Sequence, residues 1–290
     1  MKYKFSHIAL STSSQDKRVL PIATQVYEIL SNAGVKVSFD SNLKKLEMHS
    51  KIKHKSSNYI IKNAELLIAI GGDGTMLNCS RRYGSKGVYI LGINLGKVGF
   101  LTDIAPDEMT SRLLEVIKGD YVEDKRFFLE ASIKGTRETY MALNEIVIHS
   151  GAIAQLIEFD LYIDNSFVYR QKADGLIINS PTGSTAYSLS GGGPIVHPSL
   201  EAITLLPMFP QSLSTSPLVV KASSRISVDL INNKVKSQIS FDSHESLIVK
   251  GGCKVMISKS KFELNLIHPK DHDFFEGCRN KLGWSSGLVK

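Results

Sequence analysis

Residues 64 to 77 read AELLIAIGGDGTML, an apolar run that stops at Gly71-Gly72-Asp73-Gly74-Thr75. No other stretch restricts the fold as tightly. A hairpin turn built on Asp-Gly would be followed by a second alternating strand, but the continuation, TMLNCSRRYG, has helical character. The order is therefore strand, glycine turn, helix. In open α/β sheets ligands bind in the crevice beyond the carboxyl ends of the strands, so this turn is a candidate ligand site as well as a connection.

The flanking sequence extends the pattern. KFSHIALST reads as a strand, Ile22, Val26 and Leu30 recur at helical spacing before Gly34, and VKVSFD and GVYILGIN read as further strands. Strands alternating with helices predict a parallel sheet with crossovers, a Rossmann-like α/β domain over residues 1–120. From residue 121 the rhythm changes to short runs such as RFFLEASI, YMALNEIVIHS, LIEFDLYI, GLIINS and RISVDLI. Hairpin signals at Lys134-Gly135 and Asp164-Asn165 separate some of them, which predicts a β-sandwich-like domain over 121–267. The tail, 268–290, carries Phe274, Phe275, Leu282 and Trp284 as a docking face and is expected to fold back on the N-terminal domain.

A hydrophobic fraction of 42% and a charged fraction of 22% exclude disordered and fibrous classes. A net charge of +7 suits polyanionic ligands. The densest basic segment, 43–58, lacks the interleaved aromatics of a single-strand-binding surface, so it reads as a solvated linker and no nucleic-acid partner is expected. Cys79, Cys253 and Cys278 are odd in number and far apart, which argues against a disulfide framework or a paired-cysteine zinc site and suits a reducing compartment. With no run near the ~18 apolar residues of a membrane span, a cytoplasmic protein without a membrane partner is expected. His268, Asp271, His272 and Asp273 read as a solvated polar turn, and no metal-ligating shell is assigned.

The glycine turn is neither a P-loop nor a G-x-G-x-x-G fingerprint. Bare positions at Gly72 and Gly74 let backbone N–H groups approach phosphate oxygens. Asp73 would repel a naked phosphate. It makes sense as the acceptor of a proton from an attacking hydroxyl, or as a ligand of Mg²⁺ bridging phosphates, and both roles belong to phosphoryl transfer. A second loop, GINLGKVGFLTD, adds Asn94 and Lys97 near the same crevice. Further on, KADGLIINSPTGSTAYSLSGGGPIVHP mixes hydroxyls, glycines and Tyr187, a ring able to stack on a base. Asn144 and Glu145 interrupt an apolar strand, so they are either exposed at an edge or engaged with a ligand.

In this order, GGDGT, GINLGKVGFLTD, NEIVIHSG, ADGLIINSPTGSTAYSLSGGGPIVHP and HPKDHDFFEGCRNKLGW resemble the bacterial NAD kinase family. The GGDG element alone is shared with diacylglycerol-type lipid kinases and 6-phosphofructokinases; the long serine-threonine-glycine block is the distinguishing part. The resemblance implies transfer of a phosphoryl group from ATP, or from inorganic polyphosphate, to the 2′-hydroxyl of the adenosine ribose of NAD, giving NADP. It also implies Mg²⁺ and a homo-oligomer, dimer or tetramer. By the same resemblance Asp73 is the proton acceptor, and Gly72 and Gly74 approach the dinucleotide beside it. Asn144, Glu145, Asp174, Thr185, Ala186, Tyr187, Ser188, Leu189 and Ser190 bind NAD, with Lys172 at a commonly basic position. Gln155 and His244 fall at contact positions but depart from the residue types of relatives. Two other readings stand beside this one: a lipid kinase of the diacylglycerol type, for which no basic amphipathic helix is present, and a non-catalytic NAD(P)-binding regulator.

Overall fold

The computed structural model describes residues 3–46, 54–96, 99–151, 155–212, 214–231 and 236–284. The chain divides into two compact units, one made of the chain up to Lys125 together with the chain from Glu263 onward, the other of Arg126–Phe262.

The first unit alternates strands and helices: β1 (His7–Ser11), α1 (Val19–Asn32), β2 (Lys36–Asp40), β3 (His54–Lys55), α2 (Ser57–Asn63), β4 (Leu66–Ile70), α3 (Asp73–Arg82), β5 (Tyr89–Ile93) and α4 (Met109–Lys118). β2, β1, β4 and β5 pair in parallel in that order, with β3 outside β2. All five residues of β1 and of β4 are buried. That explains why LLIAI is apolar throughout instead of alternating, since a parallel strand covered on both faces has no wet side. Ile8, Leu10, Ile68, Ile70 and Ile93 form a core with Val26 and Leu30 of α1 and Leu113 and Val116 of α4.

The second unit is all β apart from short helical turns: β6 (Tyr121–Ile133), β7 (Thr139–Ala142), β8 (Glu145–His149), β9 (Ile157–Ile163), β10 (Ser166–Ala173), β11 (Gly175–Asn179), the single turn α5 (Tyr187–Ser190), β12 (Ala202–Met208), β13 (Leu218–Lys221), β14 (Ile226–Leu230), β15 (Ser237–Phe241), β16 (Glu245–Val249) and β17 (Lys254–Pro269). One sheet runs β13-β12-β11-β8-β15-β16, all antiparallel. The other contains β10, β9, β14 and β17, with β6 and β7 beyond β17. Ile146, Ile148, Leu176, Ile178 and Phe241 share one core with Phe159, Leu161, Val228 and Val255, as the two inner faces of a sandwich do. Asp164 and Asn165, at φ 51° and 68°, make the β9–β10 turn at the predicted Asp-Asn pair. The far end of β17 belongs to the first unit, where Leu266 and Ile267 pair in parallel with Ile90 and Leu91 of β5, and α6 (Phe274–Leu282) follows.

Two expectations change. The basic segment is not a linker throughout, because its last residues form β3 and open α2, whose start is capped by the Ser56 hydroxyl accepting the Tyr59 N–H at 3.4 Å; residues 47–53 lie outside the described residues. In the tail helix the buried residue is Cys278, while Phe275 and Trp284 are exposed, so the anticipated aromatic docking face is only partly used.

Candidate active site

Because β1, β4 and β5 are parallel neighbours, the loops that follow them open along one edge of the sheet. Thr12, just past β1, donates to the Ile70 carbonyl at 2.7 Å, and the Gly71 N–H donates to the Ile93 carbonyl at 2.9 Å. The three glycines of the turn have different reasons for being glycine. At Gly71, with φ 153°, an added Cβ would stand 2.7 Å from the Thr75 Cβ, so the turn itself excludes a side chain. At Gly72 and Gly74 an added Cβ would meet nothing within 4 Å, and neither has a positive φ. The protein alone does not need glycine there. What their bareness creates is open space on both flanks of Asp73.

Asp73 begins α3, and its carboxylate is held from the neighbouring loop: Oδ2 accepts the Phe100 N–H at 3.0 Å and Oδ1 accepts the Leu101 N–H at 3.1 Å. Gly99 permits this approach, since a Cβ on it would overlap Asp73 Oδ1 and come within 2.6 Å of Thr102 Oγ1. Thr102 Oγ1 accepts from the Gly99 N–H at 2.9 Å and from Asn94 Nδ2 at 2.8 Å, while Asn94 Oδ1 accepts the Gly96 N–H at 3.0 Å. The Asn94 amide, buried, therefore shapes this loop. Lys97 lies outside the described residues.

Two residues after Leu101, Asp103 meets the end of β17. His268, only 1% exposed, donates from Nδ1 to Asp103 Oδ2, and its Nε2 lies 3.4 Å from Asp124 Oδ2. His272 Nδ1 lies 3.1 Å from Asp103 Oδ1, and the two imidazoles stack with centroids 4.0 Å apart. Burial works against a charged His268, but Asp103 and Asp124 outweigh it and raise its pKa to about 9. Burial likewise opposes ionised Asp103, yet the two histidines hold it well below the usual carboxylate range. The expected solvated turn is thus corrected at His268, because Asp103, 165 positions earlier, supplies a partner no local reading could see. Imidazole donors do not suit Mg²⁺, and the facing oxygens of Asp103 are taken by the imidazoles.

In the second unit, Asn144 precedes β8 and Glu145 opens it, and the Asp242 carboxylate accepts the N–H groups of Leu143, Asn144 and Glu145 at 2.8, 2.7 and 3.1 Å. Asp242, at φ 49° in the β15–β16 turn, escaped the sequence reading; its signal was the Asp that breaks the alternating run SQISFDSHES, two residues before His244. The Ser180 N–H donates to the Asn144 carbonyl at 2.9 Å, and Gly183 packs so closely on Asn144 that a Cβ would lie 2.8 Å from its Cα. Four buried atoms here, Asn144 Oδ1, Glu145 Oε2, Asn179 Oδ1 and Ser188 Oγ, find no hydrogen-bond partner among the described residues. An unmet buried polar atom costs about 1–3 kcal/mol, so each of these four calls for a partner from water or a bound molecule. Burial, and then the nearby Asp242 charge, push Glu145 up to about 8, making it a neutral carboxylic acid at pH 7. It can therefore donate as well as accept, which extends the acceptor role read from its residue type.

Tyr187 and Ser190 are exposed and line a cleft of about 410 Å³ with Gly191, Met208, Phe209 and Pro210. Thr185, Ala186 and Leu189 are half-buried and Ser188 is buried. The Asp174 N–H donates to the Met208 carbonyl at 3.0 Å, between β10 and β11. Lys172, exposed on β10, lies 3.7 Å from Glu158, Gln155 is exposed ahead of β9, and His244 is exposed in the turn that carries Asp242.

Asp73 is thus a carboxylate aimed by two backbone amides between two bare glycines, at a strand end outside any P-loop. Family models for the ATP-NAD kinase N-terminal and C-terminal domains match residues 8–121 and 143–269. Over 266 residues the chain is 44% identical to the NAD kinase of Saccharophagus degradans, covering 90% of each chain. Over 284 residues it is 40% identical to that of Acinetobacter baylyi, covering 97% of this chain and 92% of that one. Among solved structures, yeast NADH kinase complexed with NADH matches with a TM-score of 0.86 at 27% identity, over 98% of this chain and 90% of that one. An NAD kinase from Archaeoglobus fulgidus in complex with ATP matches with a TM-score of 0.73 at 26% identity, over 96% and 97%. The chain belongs to the NAD kinase family, and its α/β plus β-sandwich architecture is that family's.

Proposed function

We propose that this protein transfers a phosphoryl group from ATP, or from polyphosphate, to the 2′-hydroxyl of the adenosine ribose of NAD, with Asp73 as the proton acceptor. The observation that carries the reading is Asp73 itself, a partly exposed carboxylate fixed by the Phe100 and Leu101 amides with open space over Gly72 and Gly74. A ribose hydroxyl is a weak acid, so a base within hydrogen-bond reach helps as its proton leaves; such help is typically about 10²–10⁴-fold. The larger part of the acceleration comes from holding the acceptor in line and from N–H donors facing the phosphoryl oxygens. In the second unit the unpaired atoms of Asn144, Glu145, Asn179 and Ser188 give the dinucleotide its polar contacts, and the Tyr187 ring offers a stacking face. The relatives solved with NADH and with ATP support both ligand assignments.

Mg²⁺ fits this chemistry: it would be held mainly by the phosphate oxygens of the donor and would neutralise charge on the transferring group. By family membership we also assign a homo-oligomer, dimer or tetramer, and the three free cysteines suit the cytoplasm. The test is to incubate the purified protein with NAD, Mg²⁺ and either ATP or polyphosphate and to read NADP with an NADP-specific dehydrogenase. Absence of product from both donors defeats the assignment.

A further inference from the structure

Asp73 depends for its orientation on a loop that is clamped at its far end by residues unrelated to the glycine turn. The loop from Asn94 to Ile104 is tied at its start by the Asn94 N–H to the Ile104 carbonyl at 2.9 Å and internally by Asn94, Gly99 and Thr102. The Phe100 and Leu101 amides that hold Asp73 sit between those ties and Asp103. Asp103 is gripped by His268 and His272, and His268 is fixed in turn by Asp124 on β6 and by the pairing of Leu266 and Ile267 with β5.

Resting on the phosphoryl-transfer reading above, we infer that His268 is a positioning residue: acting through Asp103, it sets the Phe100 and Leu101 amides and thereby the aim of the Asp73 carboxylate. The groups facing its ring are Asp103 from the loop, Asp124 from β6 and His272 stacked against it. An imidazolium hydrogen-bonded through Nδ1 to Asp103, with Nε2 facing Asp124 at 3.4 Å, spans loop and strand as a charged strut, and loss of its proton removes the charge that attracts both carboxylates. Since the folded pKa of His268 is raised to about 9 from 6.5, the clamp in the folded protein persists until pH rises through about 9, while the stability it contributes is fully present below about pH 6.5 and declines between the two values.

The experiment compares His268→Gln, which keeps a donor toward Asp124 but not toward Asp103, with His268→Asn, which keeps the donor nearer Asp103. Two readouts are taken: steady-state kinetics from pH 6.5 to 9.5, and amide hydrogen exchange at Phe100 and Leu101. His268→Gln should lower kcat roughly 10- to 100-fold, the scale of a misplaced reacting group, with KM for NAD within about threefold, and should speed exchange at both amides. His268→Asn should recover most of kcat, and neither variant should keep the wild-type fall in kcat near pH 9. If His268→Gln does not fold, Asp103→Asn is measured in its place and should show the same kinetic and exchange changes. Unchanged exchange at Phe100 and Leu101, or faster exchange without a fall in kcat, overturns the inference. A wild-type protein that makes no NADP sinks the kinase assignment instead, and the clamp is then decided by exchange alone.

Discussion

Gly99 lies so close to Asp73 that a Cβ built on it would stand 2.7 Å from the Asp73 Cγ, although one sits in the loop after β5 and the other at the first turn of α3. Each is shaped to receive the other. Replacing Gly99 with Ala should therefore leave the fold intact but push the carboxylate off the Phe100 and Leu101 amides. We expect kcat to fall roughly 100-fold, with NAD affinity changed by less than about threefold; steady-state kinetics and isothermal titration check both numbers.

Asp73→Asn keeps the shape of the side chain and removes its capacity to accept a proton. Turnover should drop by about 10²–10⁴-fold while the protein still folds and binds NAD, with a modest loss of melting temperature because Asn Nδ2 faces one of the two backbone N–H groups in place of an acceptor oxygen. A mutant with near-normal kcat would take the base role away from Asp73.

Gly74→Ala separates stability from function at one atom. Its Cβ meets nothing in the protein, and Ala is favoured over Gly in a helix by about 0.5–1 kcal/mol. Denaturant unfolding should show a small gain or no change in stability, while KM for a substrate rises at least tenfold because the methyl occupies ligand space. Unchanged KM would mean that the bare flank of Asp73 is not used.

The Asp242 carboxylate gathers three backbone N–H groups at the start of β8. Asp242→Ala leaves those buried donors unmet and should cost about 3 kcal/mol or more. It should also raise KM for NAD, since Asn144 and Glu145 lose their anchor. Urea unfolding together with NAD titration measures the two effects.

Glu145 titrates near 8 in the folded protein against 4.5 ordinarily. Its contribution to stability is fully present below about pH 4.5 and is lost as pH rises through 8, because ionising it leaves a buried charge beside Asp242. Glu145→Gln should flatten the decline of stability between pH 4.5 and 8 and make the unliganded protein more stable than wild type at pH 8.5, by a few kcal/mol at most. Melting curves across that range check the sign. The His268 contribution, lost between about 6.5 and 9, should persist in this variant.

The sequence alone determined the α/β order, the glycine turn at the end of β4, the change to short strands and the block around Tyr187, because each rests on local periodicity or on turn chemistry that neighbouring residues carry by themselves. Some local information went unread: Met109, Leu113, Val116 and Ile117 mark the buried face of α4 at helical spacing, and the pattern is visible in the chain. Other features have no local signature. That Asn94 is spent on Thr102 and Gly96, that Asp242 holds Asn144 and Glu145 across 97 to 98 positions, and that His268 grips Asp103 across 165 all follow from strand pairing. Residue type made Asp73 a candidate base; only the tertiary structure decided which amides aim it, because those donors belong to backbone that any sequence possesses and only the fold brings within reach.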